Sequence, residues 1–527
     1  MRASRRGVLA AGLRASVGLA LALAAPRAAR AQDPGIDVQQ YSFRIAIPDS
    51  GRVITAAATV SFRRTAPVDS LRLDLVGMSV DSVGGGAPFR YDDTTLAIPL
   101  GAAPPPRRGV VPAESLTVYY HGAPSDGLIE TSDSGVWRYF GDNWPNRARH
   151  WLPTVDHPSD KARVAWRVTA PARDTVVTNL TGDRRIPTYC MVIAVAPMTV
   201  SHHRPADGRI PIDVYTYPGD SAYADSVPFR RATEIVETME RLVGPFPYAR
   251  LAHLESTTRY GGMENSSAIF YADRPYQRRR MSESVVRHET AHQWFGDAVT
   301  ERDWHHVWLS EGFATYFDAA IAQQLDGDSA YWRLLHADRA SYLRSRDVDR
   351  PIIDSSVTDP NRLLNANSYQ KGAWVLHMLR RETGDSAFFR GLRAYYLAWR
   401  DSTTLSVNLE RAVEAYERRD LSWFFHQWLY QPGYPKLAVT WTAHRGAPRT
   451  VTLHVHQAQD SAWGYFRVSH VPVVFLAADS TVIGRADFML AAGADQTVRL
   501  PVRRVPASIQ IDPAGELLLT ADVSPGR

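Results

Sequence analysis

Cysteine and lysine are nearly absent from this 527-residue chain, which contains one cysteine, Cys190, and the three lysines Lys161, Lys371 and Lys436. A single cysteine excludes an intrachain disulfide and any metal site built from several thiolates. The sequence also has no internal repeat and no low-complexity segment. With 45% apolar and 22% charged residues, it has the composition of a globular protein, and its length suits two to four domains.

The first 31 residues have the pattern of a signal peptide. Arginines near the start are followed by an apolar stretch from Val17 to Ala25, too short to span a membrane, and by Ala29-Arg30-Ala31, which resembles a cleavage site. The segment Ser4-Arg5-Arg6-Gly7-Val8-Leu9 also resembles a twin-arginine signal, but the additional Arg14 fits the general secretory route as well. We expect a periplasmic or extracellular protein, tethered to the membrane if the leader is not cleaved.

The leader also accounts for the positive charge of the chain. It contains six arginines and no acidic residue, so its removal changes the formal net charge from +5 to 5 − 6 = −1. A mature chain near neutrality has no electrostatic reason to bind nucleic acid or an anionic membrane surface. We therefore expect no nucleic-acid partner and no integral membrane segment in the mature chain.

One motif carries recognisable metal chemistry: His288-Glu289-Thr290-Ala291-His292, followed after eighteen residues by Glu311. Histidines four residues apart lie on one helix face, so both can reach a metal at about 2.0–2.1 Å. Glu289 projects about 100° away, where a general base for a metal-bound water is needed. An amphipathic stripe predicts that this helix continues on both sides; it comprises Met281, Val285, His288, His292, Phe295 and Val299.

The short histidine motif alone also fits a helix with two histidines packed in the core. Glu311 distinguishes a metal site from this alternative. Ser310 is a predicted N-cap, which places Glu311 in the first turn of a second helix. Three protein ligands with a fourth position left for water are typical of catalytic zinc. The sequence therefore predicts one Zn²⁺ per chain, bound by His288, His292 and Glu311, with zinc preferred to cobalt or manganese from the ligand types.

Several segments in order resemble the aminopeptidase N and leukotriene hydrolase family of gluzincin zinc metallopeptidases. The resemblance runs from about residue 40 to the C-terminus. Besides the histidine motif, its segments are Ala148–Pro153, Asp156–Ala162, Gly261–Asn265, Trp308–Ala314, Ser368–Ala373, Phe424–Leu429 and Gly433–Pro435. Gly262, Asp297, His306 and Ser310 stand where the family more often has other residues.

The resemblance implies roles for individual residues. Glu289 and Tyr369 are the implied catalytic residues, and Tyr369 is expected to donate a hydrogen bond to the oxyanion. The implied substrate-binding residues are Gly261, Gly262, Met263, Glu264 and Asn265. Glu264 is expected to bind the free α-amino group of a peptide. From the residues alone, Glu264 also fits an exposed turn and Tyr369 also fits a packed core position.

Hydrophobic periodicity and the resemblance together predict an α+β multidomain protein. After the signal peptide (1–31), we expect an N-terminal antiparallel β domain (32–222), a thermolysin-like, mainly α catalytic domain (223–431) and a C-terminal β-sandwich (432–527). Asp297 is predicted to orient a ligand histidine or to lie in solvent at a helix end.

The sequence therefore predicts a secreted or periplasmic metalloprotease, a zinc-dependent aminopeptidase acting on peptides with a free N-terminus. Two alternatives use the same scaffold. One is a hydrolase of a non-peptide substrate such as an epoxide, and the other is a catalytically silent binding protein. Retention of the three ligands, the base and Tyr369 argues against the silent protein, because a binding scaffold needs none of them.

Overall fold

The structure is a computed structural model that describes residues 35–105, 111–205, 208–446 and 448–526. The expected leader, residues 1–31, lies outside the described residues. Within these described ranges, no helix combines the length and the apolar character needed to cross a membrane.

The N-terminal region is β-rich, as expected, and alternating apolar residues such as Tyr41, Phe43 and Ile45 are buried. Its strands are β1 (Ile36–Ala46), β2 (Ile54–Arg64), β3 (Ser70–Asp74), β4 (Ser79–Val83), β5 (Arg90–Tyr91), β6 (Thr95–Pro99), β7 (Glu114–Gly122), β8 (Leu128–Asp133), β9 (Val136–Gly141), β10 (Lys161–Thr169), β11 (Thr175–Thr178), β12 (Ile186–Pro187) and β13 (Ile193–Ala196). They form sheets of order β12-β10-β1-β2-β7-β4, β11-β13-β9-β8 and β3-β6-β5. The largest sheet is mixed, because β1 and β10 pair in parallel.

A five-stranded sheet leads into the catalytic region. Its elements and the flanking helices are β14 (Thr199–His203), β15 (Ile212–Thr216), α1 (Ser221–Ser226), α2 (Ala232–Leu242), β16 (Leu251–Ser256), β17 (Gly262–Met263) and β18 (Ala268–Ala272). The order is β14-β15-β16-β18-β17, so β17 is an edge strand. Because β15 pairs with β16, the expected boundary at residue 222 falls between two strands of one sheet.

Helices dominate from there, as predicted. The elements are α3 (Asp273–Gln277), α4 (Glu283–His292), β19 (Val299–Glu301), α5 (Trp308–Asp326), α6 (Asp328–Arg344), α7 (Gly372–Trp399), β20 (Ser402–Thr404), α8 (Ser406–Glu417) and α9 (Ser422–Tyr430). The prediction that the histidine helix extends to Val299 is wrong, because α4 ends at His292. Gly296 soon follows with φ of +114°, a left-handed conformation that stops helix propagation.

The C-terminal region is β-rich and consists of two facing sheets, as expected of a sandwich. Its strands are β21 (Lys436–His444), β22 (Thr450–Gln457), β23 (Val468–Leu476), β24 (Val482–Leu490), β25 (Asp495–Pro501), β26 (Ser508–Ile511) and β27 (Thr520–Pro525). The sheet orders are β25-β22-β21-β27 and β24-β23-β26. Inward residues such as Leu453 and Val473 share one apolar core, which packs the two sheets together.

Candidate active site

The three predicted metal ligands meet at one point between α4 and α5. His288 and His292 lie one turn apart on α4, and Glu311 lies in the first turn of α5. The two Nε2 atoms are 3.2 Å apart, and Oε2 of Glu311 lies 3.3 Å from Nε2 of His288 and 3.4 Å from Nε2 of His292. The chain thus forms a triangle of one carboxylate oxygen and two imidazole nitrogens.

This triangle has the dimensions that zinc requires. Ligand atoms at about 2.0–2.1 Å from a tetrahedral ion are about 3.3–3.4 Å apart, which matches the separations around Glu311. Oε2 of Glu311 is buried and has no assigned hydrogen-bond partner among the described residues. Although burial acts to raise the pKa of Glu311, its contacts with His288 and His292 lower the pKa below its ordinary value. An ionised carboxylate and two imidazoles are a suitable donor set for zinc.

Ser310 and Phe295 hold the ring of His292 from its other side. Nδ1 of His292 lies 3.0 Å from Oγ of Ser310 and 3.2 Å from the carbonyl oxygen of Phe295. Such partners fix the orientation of a ligand histidine and leave Nε2 free for the metal. The prediction that Ser310 is an N-cap is wrong, because α5 begins at Trp308 and the Ser310 hydroxyl contacts His292 instead.

Asp297 does not orient a ligand histidine and is not solvated, so both alternatives predicted for it are wrong. It is fully buried, and its carboxylate accepts hydrogen bonds from the Gln293 amide at 2.8 Å and the Cys190 thiol at 3.3 Å. The ammonium of Lys161, from the N-terminal region, donates to the Asp297 carbonyl at 2.7 Å. Asp297 therefore fixes the loop after α4 to the N-terminal region.

Glu289 points toward the edge strand β17. A Cβ placed on Gly262 would lie 2.2 Å from Oε1 of Glu289, so the absence of a side chain leaves room for this carboxylate. Burial raises the pKa of Glu289 well above its ordinary value; His292 opposes this shift, and the charges of Glu264 and Glu311 add to it. A proton-accepting group beside the ligand set is the arrangement expected of a general base.

Glu264 brings another carboxylate to the same place. One of its oxygens, one oxygen of Glu289 and a ring nitrogen of His292 lie within 4.8 Å of one another. The Gln293 amide donates to the backbone carbonyl of Glu264 at 2.6 Å, and its oxygen accepts from the backbone N–H of Ser267 at 2.7 Å. Burial raises the pKa of Glu264 to about 7, with His292 opposing the shift.

Four of the five predicted substrate-binding residues line the cavity beside these groups: Gly261, Gly262, Met263 and Glu264. Asn265 is not among the lining residues, and its side chain is fully buried. Its role in substrate binding stays a prediction. Because β17 is the edge of its sheet, the backbone of Gly262 and Met263 faces the cleft rather than another strand.

Tyr369 lies across the cavity from β17, in a single π-helical turn, Asn367–Lys371, that precedes α7. Its hydroxyl donates to Oε1 of Glu311 at 2.8 Å, and its ring stacks near His288 with centroids 6.1 Å apart. The buried ammonium of Lys371 anchors the turn by donating to the Gln431 carbonyl at 2.9 Å. A phenol donor next to the ligand set could stabilise a developing oxyanion.

Two glycines set the distance between Glu311 and Tyr369. Gly312 on α5 and Gly372 at the start of α7 are in backbone contact, and a Cβ on either would lie 2.9 Å from the Cα of the other. No larger residue fits at this crossing without separating the helices.

The cavity above the ligands has a volume of about 460 Å³, within the range of small-molecule sites. Trp144 from the N-terminal region and Tyr260 form part of its wall and pack edge to face, with centroids 6.1 Å apart. Asp318 and Asp338 line the opposite, helical side.

The sequence analysis did not predict that Trp144, Gln293 and Asp338 belong to the site. Gln293 directly follows His292, which could have indicated its role, whereas no motif signals the other two.

Comparison with known proteins gives a consistent result. Residues 230–428 match the Peptidase family M1 domain. The probable aminopeptidase 2 of Sulfurisphaera tokodaii is 27% identical over 70% of this chain and 50% of that protein. The leucyl aminopeptidase of Saccharolobus solfataricus is 26% identical over 73% of this chain and 52% of that protein. The chain thus spans about half the length of these relatives.

Solved structures show the same fold. The M1 zinc metallopeptidase from Deinococcus radiodurans superimposes with a TM-score of 0.67 at 24% identity, over 76% of this chain and 95% of that one. Ligand geometry, motif order and the domain match agree: residues 230–428 form a peptidase family M1 domain, and the chain is similar to the aminopeptidase N-like gluzincins.

Proposed function

We propose that this protein is a zinc-dependent aminopeptidase that removes N-terminal residues from peptides. The observation that carries the proposal is the position of Glu264, whose carboxylate lies within 4.8 Å of Glu289 and His292. A fixed anion so close to the ligand set favours a substrate whose ammonium is one residue from the bond to be cut. The relatives named as aminopeptidases support the same activity.

Each of three side chains has a separate role in the proposed reaction. Bound zinc would supply a Lewis acid for the carbonyl and a water of lowered pKa. Glu289 takes the proton of the attacking water and delivers it to the leaving amine. The Tyr369 hydroxyl donates to the carbonyl oxygen as that oxygen gains negative charge. Glu264 holds the substrate ammonium, which places the first peptide bond over the ligand set.

The exposed edge of β17 gives the peptide backbone a place to pair. An extended chain can add to a sheet edge through main-chain hydrogen bonds, which bind without regard to side chains. Gly261 and Gly262 present no side chain beyond hydrogen there, so a substrate strand can approach closely.

Aminoacyl anilides, free and N-acetylated, test this function. We expect the zinc-loaded protein to cleave only the free forms, and chelation or Glu289→Gln to abolish cleavage. Zinc should restore the chelated parent but not the variant. Cleavage of N-acetylated anilides at equal rates would contradict the role of Glu264. No turnover of any anilide or peptide by folded, zinc-loaded protein would contradict the peptidase function itself.

We further propose export of the protein, on the leader pattern of residues 1–31. Fractionation of expressing bacterial cells should recover a periplasmic or extracellular protein that begins at Gln32. Replacement of Arg5 and Arg6 together by lysine should block export only if the twin-arginine route is used. Full-length protein confined to the cytosol would contradict the proposal.

A further inference from the structure

Asp338, on α6, lines the cavity but has no task in the proposed reaction. Its side chain is partly exposed to the cavity, and among the described residues it makes no hydrogen bond and no ion pair. Its neighbour Asp318 differs, because Asp318 accepts from Nε of Arg287 at 2.7 Å and from the hydroxyl of Ser284. Asp338 therefore presents to the cavity a carboxyl group that no described side chain pairs with.

Apart from the proposed zinc site, the charged side chains that line the cavity are also acidic. Its described lining includes acidic side chains on both sides but neither lysine nor arginine. The nearby Arg287 is committed to Asp318 and, at 2.6 Å, to Glu283. Of the acids, Glu264, Glu289 and Glu311 have places in the proposed mechanism. A cavity with surplus negative charge attracts cationic groups and disfavours anionic ones.

Helix α4 shows where Asp338 lies along a bound peptide. Glu264 is fixed at the C-terminal end of α4 through Gln293, whereas Asp318 is fixed at the N-terminal end through Ser284. Asp338 lies beside Asp318, whose charge acts on it. The substrate N-terminus therefore occupies one end of the helix, and the part of the peptide beyond the cut bond runs toward Asp338.

Asp338 is thus on the side of the residue directly after the cut bond. His288 and Ser284, whose hydroxyl donates to Asp318, are four residues apart on α4, a rise of about 6 Å, which the four-carbon stem of lysine can cover. Leu334, Ala337 and Leu364 line this side of the cavity. Apolar walls leading to a carboxylate match a side chain with an aliphatic stem and a cationic head.

We propose that Asp338 selects lysine or arginine as the second residue of the peptide substrate. The inference rests on the proposed aminopeptidase function and adds the substrate class. Burial, with the charge of Asp318 adding to it, raises the pKa of Asp338 to about 7. A substrate cation next to Asp338 would favour its ionised form and gain a charge-assisted contact in a partly desolvated site.

Tripeptides that differ only at the second residue test the proposal: lysine, norleucine and glutamate, followed by glycine. The first residue is one that the enzyme removes from an anilide. Norleucine keeps the stem of lysine without the charge, so the lysine-to-norleucine ratio of kcat/KM reports the cationic contact. We expect a ratio of at least about tenfold and a lower rate for glutamate. The ratio should fall to about one in Asp338→Asn and persist in Asp338→Glu.

Asp495→Asn is the matched control, because it removes the same charge from an exposed carboxylate on β25. It should leave the ratio and the anilide rate unchanged. Equal rates for lysine and norleucine in the parent protein would overturn the proposal whether or not Asp338→Asn folds, and so would a ratio that survives in folded Asp338→Asn. A preference for lysine at the third residue alone would also overturn it. Failure to cleave anilides would instead show that the aminopeptidase function is wrong.

Discussion

The side-chain amide of Gln293 donates to the backbone carbonyl of Glu264 at 2.6 Å, so the residue directly after the proposed zinc ligand His292 holds the turn that carries the proposed amine-binding carboxylate. The same amide donates to Asp297, and its oxygen accepts from Ser267. Gln293 is fully buried. One side chain thus fixes the distance between the ligand set and Glu264, on which the proposed exopeptidase activity depends.

Gln293→Leu should therefore loosen amine recognition. We expect KM for free aminoacyl anilides to rise by about tenfold, with a smaller loss in kcat, and the preference over N-acetylated anilides to fall. Unfolding should require about 1–3 kcal/mol less, because buried polar partners lose their hydrogen bonds. Gln427→Leu is the control, since Gln427 is a buried glutamine that bonds the backbone of Arg467 instead. Equal loss of amine preference in both variants would contradict the role of Gln293.

Glu289→Gln should lower kcat by at least about 10³-fold, because it removes the proton acceptor and keeps the side-chain shape. Zinc content measured by atomic absorption should stay at one per chain, since Glu289 is not a ligand. Substantial residual turnover with full zinc would show that another group accepts the proton.

Tyr369→Phe should lower kcat by about 10²–10³-fold and change KM little, because its hydroxyl is proposed to act on the oxyanion. Steady-state rates on one anilide measure both constants. Tyr342→Phe serves as the control, since Tyr342 is also buried and its hydroxyl has no hydrogen-bond partner among the described residues. A loss of similar size in the control would indicate a packing effect rather than catalysis.

Zinc should stabilise the folded protein. A ligand at a thousand times its Kd stabilises by about 4 kcal/mol when it binds only the folded state, so chelation should lower Tm and zinc should restore it. His292→Ala should abolish this response, whereas His454→Ala, at an exposed position on β22, should keep it. A zinc response that survives in His292→Ala would place the metal elsewhere.

Glu255 on β16 gives a pH prediction outside the metal site. Burial raises its pKa from 4.5 to about 8, although the Tyr217 backbone N–H, which donates at 2.9 Å, opposes the shift. Between these two values the folded protein holds a proton that the unfolded chain has released. Rising pH therefore lowers stability, by up to about 1.4 kcal/mol per pH unit for one proton.

Glu255→Gln should flatten this part of the stability profile, measured by urea unfolding from pH 5 to pH 8. The neutral amide can still accept from Tyr217, so the native contact is kept. Parallel profiles for parent and variant would show that Glu255 does not titrate in this range.

The convergence of His288, His292 and Glu311 could be predicted, because their spacing along the chain is typical of a zinc site whatever surrounds them. The helix limits could not. The apolar stripe through Phe295 and Val299 continues past His292, but Gly296 turns the chain, and these residues are buried outside the helix. Ser310 has the residue type of an N-cap, but its hydroxyl contacts His292 across the site.

The residues that form the cavity walls could not be predicted from the sequence, for a different reason. Asp338 lies on α6 among ordinary polar residues, and only the packing of α6 brings it to the cavity. Asp297 resembles a solvated acid in sequence and becomes fully buried because Cys190 and Lys161 arrive from the N-terminal region. Both outcomes depend on contacts between distant segments, which local patterns do not encode.

The backbone contact between Gly312 and Gly372 makes the geometry of the site sensitive to substitution at either glycine. Neither glycine is among the described residues that line the cavity, yet a single methyl group on either would meet the opposing Cα at 2.9 Å and push α5 and α7 apart. Glu311 and Tyr369 would then separate while every chemical group stayed present. A descendant of this chain could therefore retain the proposed ligands, the base and Tyr369 and still be inactive because one of these two glycines had changed.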